Sequence, residues 1–187
     1  MEALEARHLA DLTFPEVSRA LRALSSAYVE RRARLGDGAA LAGAGKRAAF
    51  ALFYGPLHYL LLRAIVEALP GATRVASTLV DLGCGTGAAG AGWAAACQRP
   101  PRLLGVDRHP WALTEASHTY REFGLTARTR QSDAAKVSLP TSPCAVLAAF
   151  TLNELADAPR DALLSRLLDR NAHGDRVLIV EPIAGFV

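Results

Sequence analysis

The sequence has few cysteines, and their arrangement limits the kinds of site it can form. Cys84, Cys97 and Cys144 are the three in the chain, an odd number without a CxxC pair. This spacing fits no metal-binding pattern and argues against a disulfide framework. Such cysteine use is typical of a reducing compartment, so we expect a cytoplasmic protein.

Long hydrophobic runs are also scarce. The amino terminus, MEALEARHLADL, carries acidic residues early and lacks the apolar core of a secretory signal. The most apolar stretch, residues 48–62, is interrupted by Gly55, Pro56 and His58. We expect this stretch to be too short to cross a bilayer. We therefore expect no membrane partner.

Neither sign of charge is in large excess, and aromatic residues make up only 6% of the chain. The formal net charge of +3 is weak support for a nucleic-acid partner. Half of the residues are hydrophobic, so 187 residues suffice for the core of one domain with an appendage.

The first third of the chain has the pattern of helices. Thr13 and Glu16 fit a capping box, and Pro15 falls in the first turn, where no amide donor is needed. Apolar residues follow at helical spacing: Val17, Leu21, Leu24 and Tyr28. Arginines along the same segment could contact phosphates, although a solvated helix face is their more common role. They are Arg19, Arg22, Arg31, Arg32 and Arg34.

A glycine-rich stretch and a second helix complete this region. Residues 35–45 predict a loop or hinge. Residues 46–69 predict a helix that bends at Gly55-Pro56 and ends at Pro70-Gly71. We assign residues 1–72 to an N-terminal helical region.

Residues 73–187 have the alternating pattern of an α/β domain. The predicted strands are residues 78–82, 102–107, 127–131, 145–150 and 176–181. The predicted helices are residues 88–97, 110–123 and 158–171. This alternation predicts a mostly parallel sheet covered on both faces, and right-handed crossovers make it a Rossmann-like, doubly wound domain.

The most specific motif is the glycine-rich turn after the first strand. Residues 80–90 read VDLGCGTGAAG. From Gly85 the letters fit GxGxxG, a dinucleotide signature, and from Asp81 they fit DxGxGxG, a signature of S-adenosylmethionine (SAM) enzymes. Glycines allow a sharp turn and close approach to a ligand in either case, so the glycines alone do not decide between the two.

Three carboxylates favour SAM. Asp81 stands where a nicotinamide fingerprint usually has an apolar residue, because a carboxylate would repel the nearby pyrophosphate. SAM has no phosphate and carries a positive ammonium and sulfonium. Asp107 ends the second strand, where an acid can accept hydrogen bonds from ribose hydroxyls. Asp133 follows the third strand, where a carboxylate can accept the adenine amino group.

Each acid also has a purely structural alternative. Asp81 could cap the turn into the following helix, Asp107 could begin a turn, and Asp133 could be a loop N-cap. For any one of the three acids taken alone, the structural role is about as well supported as the cofactor role. The three acids in this order after this glycine turn favour a cofactor site.

The chain resembles class I SAM-dependent methyltransferases over about residues 77–181. The resemblance implies that Asp107 binds the ribose hydroxyls, that Asp133 and Ala134 hold the adenine, and that Arg108 and His109 flank the adenosine. It also implies a cofactor-binding set around the turn and the end of the fourth strand. That set is Asp81, Gly83, Cys84, Gly85, Gly87 and Phe150.

A narrower resemblance is to the methyltransferase-like proteins of the mitochondrial small ribosomal subunit and their bacterial relatives. It rests on the segments 47–50, 56–59, 93–95, 152–155 and 180–182. The mitochondrial members carry a cysteine cluster for an iron–sulfur centre. Nothing in this sequence matches that cluster, so no metal is implied.

The acceptor site is expected just after the fourth strand. Asn153 and Glu154 are the candidate catalytic residues, although capping the following segment is an equally common role for them. Glu181, at the end of the fifth strand, is expected at the same edge. The Asn/Asp-Pro-Pro-aromatic run of amino-methylating enzymes is absent. Cys144 precedes the fourth strand, at the wrong edge for a nucleophile, and no catalysis is assigned to Cys84.

The leading hypothesis is a SAM-dependent methyltransferase acting on RNA, ribosomal RNA or a ribosome-associated target. The alternatives are a non-catalytic SAM-binding module in ribosome assembly or interaction, and a nicotinamide-dependent oxidoreductase. In the resembled family the sheet continues beyond the fifth strand, so a minimal or truncated form is expected. Of the histidines, His58 and His109 are candidates for the site.

Overall fold

A computed structural model describes residues 1–30, 41–74 and 77–182, without the side chains of residues 27–30. The described chain forms two compact units, Met1–His58 and Tyr59–Val187. The sequence pattern predicts the boundary between the two regions after residue 72.

The first unit is helical. Its helices are α1, Glu2–His8; α2, Phe14–Glu30; and α3, Ala44–Ala49, which continues into a π-helical turn, Phe50–Tyr54. Helices α2 and α3 share one core, since α2 repeats buried residues at helical spacing, and α1 itself buries no residue. That core is Val17, Leu24, Ala48 and Ala49. The described residues do not include 31–40, which hold Arg31, Arg32, Arg34 and most of the expected loop. They also leave out the side chain of Tyr28.

The start of α2 forms only half of the expected capping box. The Thr13 amide donates to the Glu16 carboxylate at 2.8 Å, as expected. The Thr13 hydroxyl also donates to that carboxylate, at 2.7 Å, instead of accepting from the helix. The Glu16 amide, the expected donor to that hydroxyl, donates to the Thr13 carbonyl at 3.0 Å instead. The hydroxyl donates to the carboxylate because a charged acceptor makes the stronger hydrogen bond.

The second helix was expected to bend at Gly55-Pro56, and it continues through these two residues. Helix α4 spans Gly55–Ala68 and follows the π-helical turn directly. The Gly55 amide donates to the Phe50 carbonyl, a wider i→i+5 bond. The departure from regular α-helical hydrogen bonding is therefore the π-helical turn just before Pro56, a residue that has no backbone N–H to donate.

The continuous helix Ala44–Ala68 is 25 residues long, and its length and composition are those of a membrane-spanning helix. The expectation that the apolar stretch is too short to cross a bilayer was therefore wrong, because the helix extends beyond residues 48–62. Core helices of soluble proteins have the same length and composition, so these two properties alone do not show that the helix spans a membrane.

The second unit contains a five-stranded sheet. The strands are β1, Thr78–Leu82; β2, Arg102–Asp107; β3, Ala127–Gln131; β4, Ala145–Ala149; and β5, Arg176–Val180. Their order is β3-β2-β1-β4-β5, and every pairing is parallel. The intervening helices are α5, Ala88–Ala96; α6, Pro110–Glu122; and α7, Asp157–Ala172.

Alternating strand residues pack against helices on opposite faces of the sheet. On one face, Leu79 and Leu103 pack with Trp93 of α5 and Tyr120 of α6. On the other face, alternate residues pack with α7. They are Val80, Leu82, Val106 and Val146, against Leu163 and Leu167. This three-layer arrangement confirms the predicted Rossmann-like fold, and it brings the carboxyl ends of all five strands to one edge.

Candidate functional site

The glycine turn after β1 has the geometry that its sequence predicts. Gly83, Gly85 and Gly87 have φ values of 67°, 52° and 76°, in the left-handed region that disfavours other residues. The Gly87 amide closes the turn by donating to the Cys84 carbonyl at 2.7 Å. Helix α5 starts at Ala88 without a side-chain cap, so its first amide groups point out of the turn as donors.

Neighbouring side chains fill the space around these glycines. A Cβ at Gly83 would lie 2.4 Å from the Thr151 hydroxyl oxygen. A Cβ at Gly87 would lie 2.8 Å from the Tyr120 ring, and one at Gly90 would lie 2.6 Å from the Asp81 carboxylate. The turn is therefore held by side chains of other elements as well as by its own backbone.

Asp81 lies beneath the start of α5. Its side chain is buried, and Oδ2 accepts a hydrogen bond of 3.1 Å from the Gly90 amide. Within the described part of the chain, Oδ1 is buried and accepts no hydrogen bond. Burial raises the pKa of this carboxyl to about 7, the charge of Asp107 adds to the rise, and the Gly90 amide opposes it.

Asp107 joins the glycine turn to α6. One carboxylate oxygen accepts from the Gly85 amide at 2.9 Å, and the other accepts from the His109 amide at 2.8 Å. Each oxygen keeps a second lone pair, so ribose hydroxyls could still donate to this group. His109 itself caps α6, because its Nδ1 accepts from the Trp111 amide at 3.2 Å. Arg108, between them, is exposed.

Asp133 is engaged in its own turn. Its Oδ1 accepts from the Ala135 amide at 2.8 Å. Ala134 is buried in the core shared with α7, and its carbonyl accepts from Arg166 at 3.2 Å. The structural alternatives for Asp81, Asp107 and Asp133 are thus all realised as hydrogen bonds. These bonds hold the carboxylates of Asp107 and Asp133 in fixed positions at the carboxyl edge of the sheet.

The chain leaves β4 in an unusual conformation. Phe150 has a φ of 57°, and no other non-glycine residue in the described ranges has a positive φ. A bulky side chain in this region is strained, and such strain clusters at functional sites. The Phe150 amide donates to the Val180 carbonyl at 2.8 Å, which holds the turn against the end of β5.

Asn153 and Glu154 follow in a 3₁₀ turn, Leu152–Glu154. Neither caps α7, whose N-cap residue is Ala156 with no side-chain hydrogen bond. The Asn153 Oδ1 is buried and accepts no hydrogen bond from the residues that the structure describes. The structural role considered for these two residues is therefore not realised.

Glu154 lies among charged groups of the carboxyl edge. The residue as a whole is exposed, but protein atoms surround its carboxyl, and desolvation raises the pKa of that group to about 7. The charges of Asp107 and Glu181 also raise this pKa, and Arg108 lowers it. A carboxyl with such a pKa can exchange a proton near neutral pH.

Three residues at this edge were not assigned a site role from sequence: Thr151, Tyr120 and Gly90. Gly90 is the last glycine of the GxGxxG pattern, so the motif could have identified it. Thr151 and Tyr120 contact glycines distant in the chain, so no local pattern identifies those two. Glu181 was expected at the ligand edge. Its Oε1 accepts from the Thr151 and Leu152 amides at 3.0 and 2.8 Å.

The remaining candidates are a histidine of the first unit and two buried thiols. His58 belongs to the helical unit, and burial lowers the pKa of its imidazole to about 4. Cys84 and Cys144 are buried, and burial raises the pKa of both thiols, which disfavours the reactive thiolate. No group of three or more His, Cys, Asp or Glu side chains that could hold a metal occurs in the described ranges.

A parallel sheet of order β3-β2-β1-β4-β5, with a glycine turn after β1 and an acid at the end of β2, defines the Rossmann-like class of nucleoside-cofactor proteins. Comparison with known families then gives a match of residues 79–173, just over half of the chain, to the family described as "Methyltransferase domain". The chain belongs to this family. No curated protein matches the chain.

Solved structures share the fold at low sequence identity. An O-methyltransferase family protein from Burkholderia thailandensis matches with a TM-score of 0.63 and 14% identity, over 95% of this chain and 57% of that one. Magnesium protoporphyrin IX methyltransferase from Synechocystis PCC 6803, with bound SAH, matches with a TM-score of 0.51 and 20% identity, over 67% and 55%. The plantazolicin methyltransferase BpumL in complex with SAH matches with a TM-score of 0.51 and 16% identity, over 83% and 54%. The chain spans about half of the length of the solved structures it matches.

Proposed function

We propose that this chain is an enzyme, a transferase that uses SAM as its methyl donor. The observation that carries the proposal is the glycine turn, whose backbone is fixed on one side by the Asp107 carboxylate. The family matches the same residues, and two of the similar structures bind SAH, the demethylated product of SAM.

The residues at the carboxyl edge fit this cofactor. Asp107 has lone pairs for both ribose hydroxyls, and the amide groups at the start of α5 are donors for the methionine carboxylate. Asp133 and Ala134 are assigned to the adenine, with Arg108 beside it. Gly83, Cys84, Gly85, Gly87 and Phe150 are assigned to the wall around the methionine and ribose, over the buried Asp81.

SAM supplies an electrophilic methyl group on a sulfonium, and the protein must orient and deprotonate the acceptor. Glu154 is assigned as the base that takes the acceptor proton, because its carboxyl titrates near neutral pH at the edge that holds Asp107. Asn153 is assigned to orient the acceptor, through its buried Oδ1.

For the acceptor we propose RNA, ribosomal RNA or a ribosome-associated target, with the protein acting in the cytoplasm. Support comes from Arg19 and Arg22, both exposed and three residues apart on α2, and from the formal net charge of +3. The resemblance to methyltransferase-like proteins of the mitochondrial small ribosomal subunit points the same way.

The proposal is tested by transfer of a tritiated methyl group from SAM to ribosomal RNA, small ribosomal subunits and small-molecule fractions. We expect labelled RNA, with the label lost in Glu154→Gln and reduced in the double variant Arg19→Glu/Arg22→Glu. SAM binding without any labelled product would favour the non-catalytic SAM-binding module. NAD binding without SAM binding would favour an oxidoreductase and overturn the proposal.

A further inference from the structure

The Glu181 carboxylate closes the turn that follows β4. Its Oε1 accepts two backbone hydrogen bonds, from the Thr151 amide at 3.0 Å and the Leu152 amide at 2.8 Å. Glu181 directly follows β5, whose last residue, Val180, accepts from the Phe150 amide. The end of β5 thus supplies the acceptors for three consecutive amide groups after β4.

Thr151 continues this connection to the cofactor turn. Its hydroxyl donates to the Leu82 carbonyl at 2.9 Å, at the end of β1, and contacts the Ala149 carbonyl at 3.1 Å. The same hydroxyl oxygen occupies the space beside Gly83. Any movement of the turn after β4 must therefore move a side chain that packs on the first glycine of the motif.

We propose that Glu181 is a positioning residue that couples the acceptor turn to the cofactor turn through Thr151. The inference rests on the proposed function, since it assigns Glu181 a part in arranging the site for methyl transfer. Glu181 fixes the positive-φ conformation of Phe150 and the direction of the 3₁₀ turn that carries Asn153 and Glu154. It acts through backbone hydrogen bonds and touches neither methyl donor nor acceptor.

Loss of Glu181 should disturb the turn after β4 because several backbone groups depend on this one carboxylate. Without Glu181, two amide groups lose their acceptor, and the strained Phe150 backbone loses its fixed neighbour. The turn can then relax toward an ordinary conformation. Thr151 would leave the Leu82 carbonyl, and the end of β1 would no longer hold Gly83 in one position.

The first test compares Glu181→Ala with Glu181→Gln in calorimetric titrations of the whole chain. The glutamine keeps a carbonyl oxygen for both amides, removes the charge, and places an NH2 group at the position of Oε2. We expect Glu181→Ala, which removes the acceptor of two backbone amides, to weaken SAH binding about tenfold, and Glu181→Gln to retain most of the affinity. If Glu181 instead contacted the cofactor through its charge, Glu181→Gln would fail as Glu181→Ala does. SAM, which carries the sulfonium charge, would then lose more affinity than SAH. Either result would overturn the proposal.

The second test asks whether Glu181 acts through Thr151. Thr151→Val removes the hydroxyl at nearly constant shape, and Thr151→Ser keeps it. We expect Thr151→Val to lower SAH affinity as Glu181→Ala does, Thr151→Ser to restore it, and the double variant Glu181→Ala/Thr151→Val to lose no more than the worse single variant. Fully additive losses would show two separate effects and contradict the coupling.

A third readout does not depend on binding or turnover. Amide hydrogen exchange at Thr151 and Leu152 should accelerate at least about tenfold in Glu181→Ala and remain slow in Glu181→Gln. The Cys144 amide, which donates to the Asp175 carboxylate at the opposite end of β4, is the internal control and should not change. If the wild type binds no SAH, the proposed function fails while exchange still tests the turn. Unchanged exchange at Thr151 and Leu152 in Glu181→Ala would overturn the positioning role whether or not the protein methylates anything.

Discussion

The Thr151 hydroxyl oxygen lies 2.4 Å from the point where a Cβ on Gly83 would stand. Gly83 also has a φ of 67°, so two separate causes require glycine at this position. The structure offers a glycine at which only one of these causes operates. Gly124 has a φ of 64°, and an added Cβ there would meet nothing within 4 Å.

These two glycines give the first prediction. Gly124→Ala should lower the free energy of unfolding by about 1–2 kcal/mol, the cost of a left-handed alanine. Gly83→Ala should lower it further, because Thr151 must also leave its hydrogen bond to Leu82. Urea denaturation of both variants measures the difference. Equal losses would mean that Thr151 moves away at no cost.

A second prediction concerns Asp107. Asp107→Ala should weaken SAM binding by about 1.5–3 kcal/mol, roughly tenfold to a hundredfold, because a charged acceptor is lost from the ribose region. Some of this loss arises from the Gly85 and His109 amides, which lose their acceptor. Calorimetric titration measures the affinity, and Asp157→Ala, at an exposed carboxylate of α7, is the control. Full affinity in Asp107→Ala would remove Asp107 from the cofactor site.

A third prediction concerns the pH dependence of stability. The carboxyl of Asp81 has a pKa near 3.8 when unfolded and about 7 in the fold. Between these values the folded state holds a proton that the unfolded state has lost. Stability must therefore fall as the pH rises, with a slope of at most about 1.4 kcal/mol per pH unit.

Asp81→Asn removes this contribution and keeps an oxygen for the Gly90 amide. Its free energy of unfolding should fall less between pH 5 and pH 8 than that of the wild type. Some slope remains, because the pKa of Glu154 is raised in the same direction. Chemical denaturation at both pH values, with Asp157→Asn as control, decides the question. A variant with the wild-type slope would show that Asp81 ionises normally.

A fourth prediction tests the assigned base. If Glu154 accepts the acceptor proton, the methyl-transfer rate should rise as the pH rises through about 7, because only the carboxylate can accept. Glu154→Gln should lower the rate by about 10²–10⁴-fold and remove this rise, while SAM affinity is retained. The rate is measured with saturating SAM and acceptor. A Glu154→Gln enzyme with the wild-type pH profile would exclude the residue as the base.

The sequence predicted every strand and α-helix of residues 77–182 to within one residue at each end, but not the 3₁₀ turn Leu152–Glu154. Buried parallel strands such as β4 are continuous apolar runs, and glycine and proline mark the ends of several elements. The edge strand β3, ARTRQ, has no such run, and its prediction depended on the alternation of strands and helices. The positive φ of the motif glycines also followed from local pattern. The π-helical turn at Phe50–Tyr54 did not, because it depends on how the helix meets the proline ahead of it.

The tertiary contacts of the candidate site were beyond local pattern. Thr151 and Gly83 are far apart in the chain, and only the pairing of β1 with β4 brings them together. The contact between Tyr120 and Gly87 likewise depends on α6 packing on the sheet. The raised pKa of Asp81 arises from burial that its sequence neighbours do not reveal.

The sheet order divides the proposed site between two groups of strands. The residues assigned to the cofactor, apart from Phe150, lie at the carboxyl ends of β1, β2 and β3 or just after them. Those assigned to the acceptor follow β4, which pairs with β5. Related chains can therefore diverge in what they methylate by changing one half of the sheet while the other half is inherited intact. Thr151 is where this independence ends: a graft of new β4–β5 loops that omits its hydroxyl should disturb the cofactor half as well.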